Sequence, residues 1–235
     1  MTYTNSPLVD YTQISPHRGS RNGHAIDTIT IHCAAAQAAV ETLGRLFQTK
    51  QASANYGIGA DGRAGMYVEE KDRSWCTSNN ANDARAVTIE VACDNRHPYA
   101  VKDAVYKKLI ALVADVCKRN GIAKLVWSTD KYDRMNHKGG CNMTVHRDYE
   151  NKACPGQWLY ERHGQIAAEV NKRLTEDEEM VRWNKIEDVP EGFYRDTVRQ
   201  LMQDGIIKGK GDGVIDLTED MLRVMIFCQR IMEGK

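Results

Sequence analysis

The chain has 235 residues, of which 42% are hydrophobic and 27% charged, an ordinary globular composition that excludes disordered and collagen-like chains. No apolar run approaches the roughly 20 residues needed to cross a bilayer. Formal net charge is zero, but from Glu176 onward there are 9 basic and 14 acidic residues, so the preceding three-quarters is mildly basic. Such a body suits an anionic polymer, yet it lacks the dense Lys/Arg clusters of a nucleic-acid binder.

The N-terminus, MTYTNSPLVDY, has no basic stretch followed by an apolar one, so synthesis in the cytoplasm without a secretory signal is expected. The seven cysteines are Cys33, Cys76, Cys93, Cys117, Cys141, Cys154 and Cys228. An odd number without paired spacing argues against a disulfide framework. Most are expected to be reduced and buried, with at least one available to a metal.

Residues 1–25 read as a polar, turn-rich arm. IDTITIHC (Ile26–Cys33) alternates as a strand, with Ile29 and Ile31 on one face and Thr28, Thr30 and His32 on the other. Val40–Lys50 carries Val40, Leu43 and Phe47 at helical spacing. NYGIGADGRAGMYVEE predicts a hairpin turning at ADGR. AVTIEVAC (Ala86–Cys93) is a second alternating strand, with Glu90 on the face opposite Val87, Ile89 and Val91. Lys102–Asn120 is the clearest helix, ended by Asn120–Gly121. LVWS reads as a short strand before a loop at Asp130–Met143, and Trp158–Leu174 as a final helix. Strands alternating with a few helices predict an α/β domain around a central sheet.

The acidic run TEDEE marks a linker over residues 175–185. Beyond it, a helix at Phe193–Asp204 stopped by Gly205, a KGKGDG turn and a helix from about Glu219 capped by Thr218 form a small helical C-terminal module at 186–235. The KGKGDG segment lacks the ligand-rich loop of a calcium site and reads as a plain turn.

The chemistry concentrates in HRDYENKACPG (His146–Gly156), where a His and a Cys stand eight residues apart with Lys152 between them. Neutral imidazole and thiolate are good zinc ligands, although a His near a Cys is often structural. His32 and Glu90 share the polar parity of their strands. They belong either to a solvated edge-strand face or to a common cleft, because an unpaired carboxylate facing the core would cost several kcal/mol. His137 and Cys141 could compete with His146 as ligands, in a structural zinc site completed by Cys154. Asp148 and Glu150 are second partners of the loop or solvated, Tyr56 is a hydrogen-bond donor to a substrate or a plain strand aromatic, and Trp75 and Trp127 line a cleft or the core. Cys33, Cys76, Cys93, Cys117 and Cys228 default to packing.

Taken in order, TITIHC, SANYGIGADG, AVTIEVAC and TVHRDYENKACPG resemble the motifs of the type-2 N-acetylmuramoyl-L-alanine amidases of phage and bacteria, which share a fold with animal peptidoglycan recognition proteins. The resemblance runs from about Ser6 to Leu174. It implies a central mixed β-sheet flanked by helices, a zinc ion held by His32, His146 and Cys154, and catalytic roles for Glu90, Lys152 and Tyr56. It also implies hydrolysis of the amide between N-acetylmuramic acid and L-alanine in bacterial peptidoglycan, by a 1–174 catalytic domain. Some relatives carry the Tyr and no such Glu, whereas this chain has both. Members of the fold that bind peptidoglycan without cutting it typically lack the Cys ligand. The C-terminal module resembles small modules of phage endolysins, which implies wall targeting or homodimerisation. Without a signal peptide, an endolysin released by a holin or an autolysin exported by another route fits.

Overall fold

The computed structural model describes residues 3–179 and 182–232, which form two compact units divided between Leu174 and Thr175. In chain order the first unit contains β1 (Tyr11–Thr12), β2 (Arg18–Ser20), β3 (Thr28–Cys33), α1 (Val40–Thr49), β4 (Tyr56–Ile58), β5 (Ala64–Met66), β6 (Asp72–Ser74), α2 (Asn80–Arg85), β7 (Ala86–Val91), α3 (Asp103–Arg119), α4 (Lys131–Met135) and β8 (Met143–Thr144). A 3₁₀ turn, His146–Asp148, then leads towards α5 (Gln157–Glu179).

Six strands form one sheet in the order β1-β5-β4-β7-β3-β8. β4 and β5 are the antiparallel hairpin, while β7 pairs in parallel with both β3 and β4, and β8 lies parallel to the far edge of β3. The sheet is therefore mixed. All six residues of β3 are buried, as expected for a strand flanked on both edges and covered on both faces.

Parity divides the sheet chemically. Ile29 and Ile31 of β3, Val87, Ile89 and Val91 of β7, Tyr56 and Ile58 of β4 and Met143 of β8 share one face and one apolar cluster. Val105, Leu109, Leu112, Val113 and Val116 of α3 and Leu159, Ile166 and Val170 of α5 complete it. Each such side chain removed from water contributes about 1.5–3 kcal/mol. α3 closes where Asn120 and Gly121 (φ 70) predict, with the Asn120 N–H bonded back to Val116 O.

The other face carries Thr28, Thr30, His32, Thr88 and Glu90. Its hydroxyls are satisfied by one another and by α2: Thr30 Oγ1 and Thr144 Oγ1 lie 2.7 Å apart, Asn82 Nδ2 donates to Thr30 Oγ1 at 3.1 Å, and Ser74 Oγ lies 2.7 Å from Thr88 Oγ1. Burial of these hydroxyls costs little because each has a partner. α1 adds Leu43 and Phe47 to a smaller apolar cluster with Ala54 and Tyr67. Gly57 permits this approach, since a Cβ there would lie 2.8 Å from Tyr67 Cε2 and 2.9 Å from Leu43 Cδ1.

LVWS does not form a strand. Val126 O accepts from Asn142 N–H, but the Val126 N–H is satisfied by the Asn142 side chain, so a side chain stands where ladder pairing would continue. Among the described residues no helix is long and apolar enough to cross a membrane.

The second unit contains β9 (Arg182–Trp183), α6 (Phe193–Gln203), β10 (Leu217–Thr218) and α7 (Glu219–Met232). β9 pairs antiparallel with β10, and Trp183, Val198, Leu201, Leu217 and Leu222 belong to a separate core. Trp183 thus lies in this core rather than in a spacer, and residues 175–179 continue α5. Residues 180 and 181 of the expected linker, and 233–235 of the expected module, lie outside the described residues. The KGKGDG segment is a turn: Lys210 N–H donates to Val214 O, and a Cβ on Gly209 (φ 63) would sit 2.5 Å from that carbonyl. Thr218 Oγ1 accepts from Met221 N–H at the start of α7.

Candidate active site

His32 lies near the C-terminal end of β3, on the polar face and only 1% exposed. β8, pairing beside β3, ends at Thr144, and the chain turns through His146 into the same neighbourhood. The loop before α5 then returns Cys154, whose Sγ lies 3.3 Å from His32 Nδ1 and accepts the backbone N–H of Cys33 at 3.4 Å. One ligand atom from each of His32, His146 and Cys154 can be chosen so that all lie within 4.8 Å of one another. The two imidazole rings meet edge to face, with centroids 5.1 Å apart.

The Nε2 atoms of both His32 and His146 are buried without a hydrogen-bond partner. Buried polar atoms are rarely left so, and a cation between them is the simplest partner. Desolvation holds the His32 imidazole down to about 3, with His146 and His163 adding to the effect. Burial and then Lys152 lower His146 as well. Both rings are therefore neutral at pH 7, the state in which imidazole donates a lone pair to a metal. Two neutral imidazoles and one thiol fit a metal ion of borderline softness.

Glu90 stands on β7 in direct register with His32, so its parity places it on the same face. A second cluster within 4.8 Å joins His32, Glu90 and Cys76. Burial pushes the Glu90 carboxyl up to about 8, and Cys93 adds to the shift. A bound cation would favour the ionised carboxylate and bring it down again. The residues line one cavity of about 760 Å³, whose walls include Ala36, Leu43, Phe47, Trp75 and Lys152.

The Arg134–Asp148 pair anchors the turn that carries His146. Arg134 Nη2 and Nε donate to the Asp148 carboxylate at 2.5 and 2.8 Å, with side chains 2% and 1% exposed. Asp148 also accepts the Val145 N–H at 3.3 Å. The Arg134 guanidinium lies 4.5 Å from the Trp127 ring centroid. Arg147 in turn donates to the carbonyls of Ala153 and Cys154, tying the segments of His146 and Cys154 together.

Of the residues singled out from sequence, His32, His146, Cys154, Glu90, Lys152 and Trp75 meet in this cavity. Tyr56 does not. Its register partner on β7 is Ile89, so it lies on the apolar face, and its hydroxyl donates to Glu70 Oε1 at 2.6 Å and accepts the Ser6 N–H at 2.9 Å. The β7 register assigns Gly57, not Tyr56, to the face of Glu90. His137 and Cys141 are also apart from the site: His137 Nδ1 lies 3.0 Å from Cys141 O, and neither residue enters a metal-capable group among the described residues. Asp148 is the buried partner of Arg134, Glu150 is exposed, and the half-buried Trp127 packs on His163. Cys76 is the residue that sequence reasoning missed; it follows a three-residue strand, too short to show periodicity.

A family model described as N-acetylmuramoyl-L-alanine amidase matches residues 22–157. Among solved structures, the chain is similar to a selenomethionine derivative of AmpD (18% identity, 71% of this chain and 99% of that one covered, TM-score 0.51). It is also similar to the endolysin N-acetylmuramoyl-L-alanine amidase LysCS from Clostridium intestinale URNW (18% identity, 72% and 99% covered, TM-score 0.50). These identities speak for the fold alone. No curated protein sequence matches the chain. Because the family match spans more than half of the sequence and takes in His32, Glu90, His146, Lys152 and Cys154, this chain belongs to the N-acetylmuramoyl-L-alanine amidase family.

Proposed function

We propose that the protein is a zinc-dependent amidase that cuts the bond between the lactyl group of N-acetylmuramic acid and L-alanine in bacterial peptidoglycan, acting as a phage or prophage endolysin. The observation that carries the metal reading is the convergence of His32, His146 and Cys154, with two buried imidazole Nε2 atoms lacking any other partner. His32, His146 and Cys154 would hold the zinc ion, which would lower the pKa of a water to about 7 and polarise the carbonyl.

The chain's own groups supply the rest. Glu90 accepts the proton of the attacking water and returns it to the departing L-alanine amine, a role for which its raised pKa is suited. Lys152, on the cavity wall, stabilises the negative charge that develops on the carbonyl oxygen. The Sγ of Cys154 is oriented by the Cys33 N–H, which it accepts. Tyr56 takes no part.

The second unit is proposed as the wall-targeting or dimerising element. Its separate core supports independent folding. Mass spectrometry of purified sacculi after digestion tests the function. New free N-terminal L-alanine with intact glycan strands is expected. Cleaved glycosidic bonds or cross-links would contradict it, and binding without release would favour the non-catalytic alternative.

A further inference from the structure

Lys152 borders two cavities of different character. The first, already described, has walls built largely of alanines, Leu43, Phe47 and the exposed Trp75. The second, of about 660 Å³, is bounded by Lys131, Arg147, Tyr149, Glu150, Asn151 and Lys152. It carries three cations and one carboxylate. Lys131 and Lys152 are exposed and, among the described residues, form no ion pair. Arg147 is fixed by its bonds to the Ala153 and Cys154 carbonyls and by the Tyr160 ring, 4.4 Å from its guanidinium carbon. The Tyr149 hydroxyl is occupied by Asn82 Oδ1, so this residue offers its ring.

The proposed substrate is equally two-sided. On the sugar side of the scissile amide lie neutral groups: an N-acetyl, a lactyl methyl and pyranose C–H faces, which suit apolar walls and an indole ring. On the peptide side the first charged group is the α-carboxylate of the γ-linked D-glutamate that follows L-alanine. Charge complementarity assigns that anion to the basic cavity, whose shared wall residue, Lys152, also borders the metal-ligand cluster.

Resting on the amidase reading above, we infer that the basic cavity binds the free α-carboxylate of the second stem-peptide residue, so that the enzyme selects D-isoglutamate over amidated D-isoglutamine stems. Lys131 is the specificity-determining cation, because Lys152 is committed to the carbonyl oxygen. A carboxylate meets an ammonium with a charge-assisted hydrogen bond that the neutral amide does not replace. The apolar cavity has one competing cation, Arg45, whose Nη2 donates to Thr42 Oγ1 at 3.1 Å.

The test compares two substrates whose γ-carboxyl is blocked as the methylamide, N-acetylmuramoyl-L-alanyl-D-isoglutamate γ-methylamide and its D-isoglutamine counterpart, using the zinc-loaded full chain. The wild type is expected to favour the acid in kcat/KM by about tenfold, the worth of one charge-assisted hydrogen bond. The preference should reside in KM and weaken with added salt. Lys131→Gln should bring the ratio close to one, and Arg45→Gln should leave it intact. A wild-type ratio near one, or a preference that survives Lys131→Gln, overturns the inference while leaving the amidase reading standing. Collapse of the ratio in Arg45→Gln instead moves the carboxylate to the other cavity and also overturns it. Cleavage of neither compound overturns both readings.

Discussion

His32 and Glu90 are direct register partners on the neighbouring parallel strands β3 and β7. In a parallel pair, register partners project to the same side of the sheet. One residue step of either strand would turn its polar group into the apolar cluster formed with α3 and α5. The relationship that places a proposed base beside a proposed metal ligand is therefore held by the whole hydrophobic pattern of the sheet.

From this follows the expected behaviour of Glu90→Gln. The variant keeps the shape of the side chain and loses its basicity. Its kcat should fall by about 10²- to 10⁴-fold, with zinc content unchanged. Burial raises the Glu90 carboxyl, so the base form is populated only as pH rises, and the wild-type rate should climb on the acid limb of a pH profile. That limb should be missing from the residual activity of the variant. Full activity in Glu90→Gln would remove this residue from the mechanism.

Tyr56→Phe separates the buried tyrosine from the chemistry. The substitution deletes the hydroxyl that links Glu70 and the Ser6 N–H. Glu70 keeps Asn120 and Arg119 as donors. A stability loss of about 1–3 kcal/mol is expected in urea denaturation, with kcat/KM unaltered. A large loss of kcat at unchanged stability would return Tyr56 to the site.

Arg134→Met should act on stability and on the metal together. It leaves the Asp148 carboxylate buried and unpaired, at a cost of about 3–5 kcal/mol. Because Asp148 terminates the turn that begins at His146, zinc affinity should weaken as well. The double variant Arg134→Met/Asp148→Leu should recover part of the stability. Equal stability of the single variant and wild type, measured by urea titration, would show that the pair does not anchor the turn.

Truncation after Leu174 tests the division of labour. The first unit has its own core, so the shortened chain should fold, bind zinc and cut soluble muropeptides at the full-length rate. Lysis of intact bacteria should be slower. Unchanged lysis would refute a targeting role for the second unit.

The parts of this site that were legible in the sequence are those set by local alternation. β3 and β7 announce their polar faces, and with them His32 and Glu90, because six-residue strands are long enough for period-two patterning. Tyr56 was not legible in the same way. β4 has three residues, all buried, and only its pairing with β7 decides which of them faces the site. Cys76 follows a strand of three residues, so its approach to Glu90 depends on tertiary packing alone. The Arg134–Asp148 anchor joins residues from separate loops, and no local periodicity marks it. In the second unit, Trp183 reads as part of a spacer because the acidic run beside it dominates the composition, whereas its burial rests on pairing with a strand that begins at Leu217.

The most direct test of the central claim is the metal dependence of cleavage of an N-acetylmuramoyl-L-alanyl peptide. Chelator-treated protein should be inactive and regain full rate at one equivalent of zinc per chain, while Cys154→Ser should stay inactive at that stoichiometry. A metal-free protein that cleaves the amide at the undiminished rate would contradict the account.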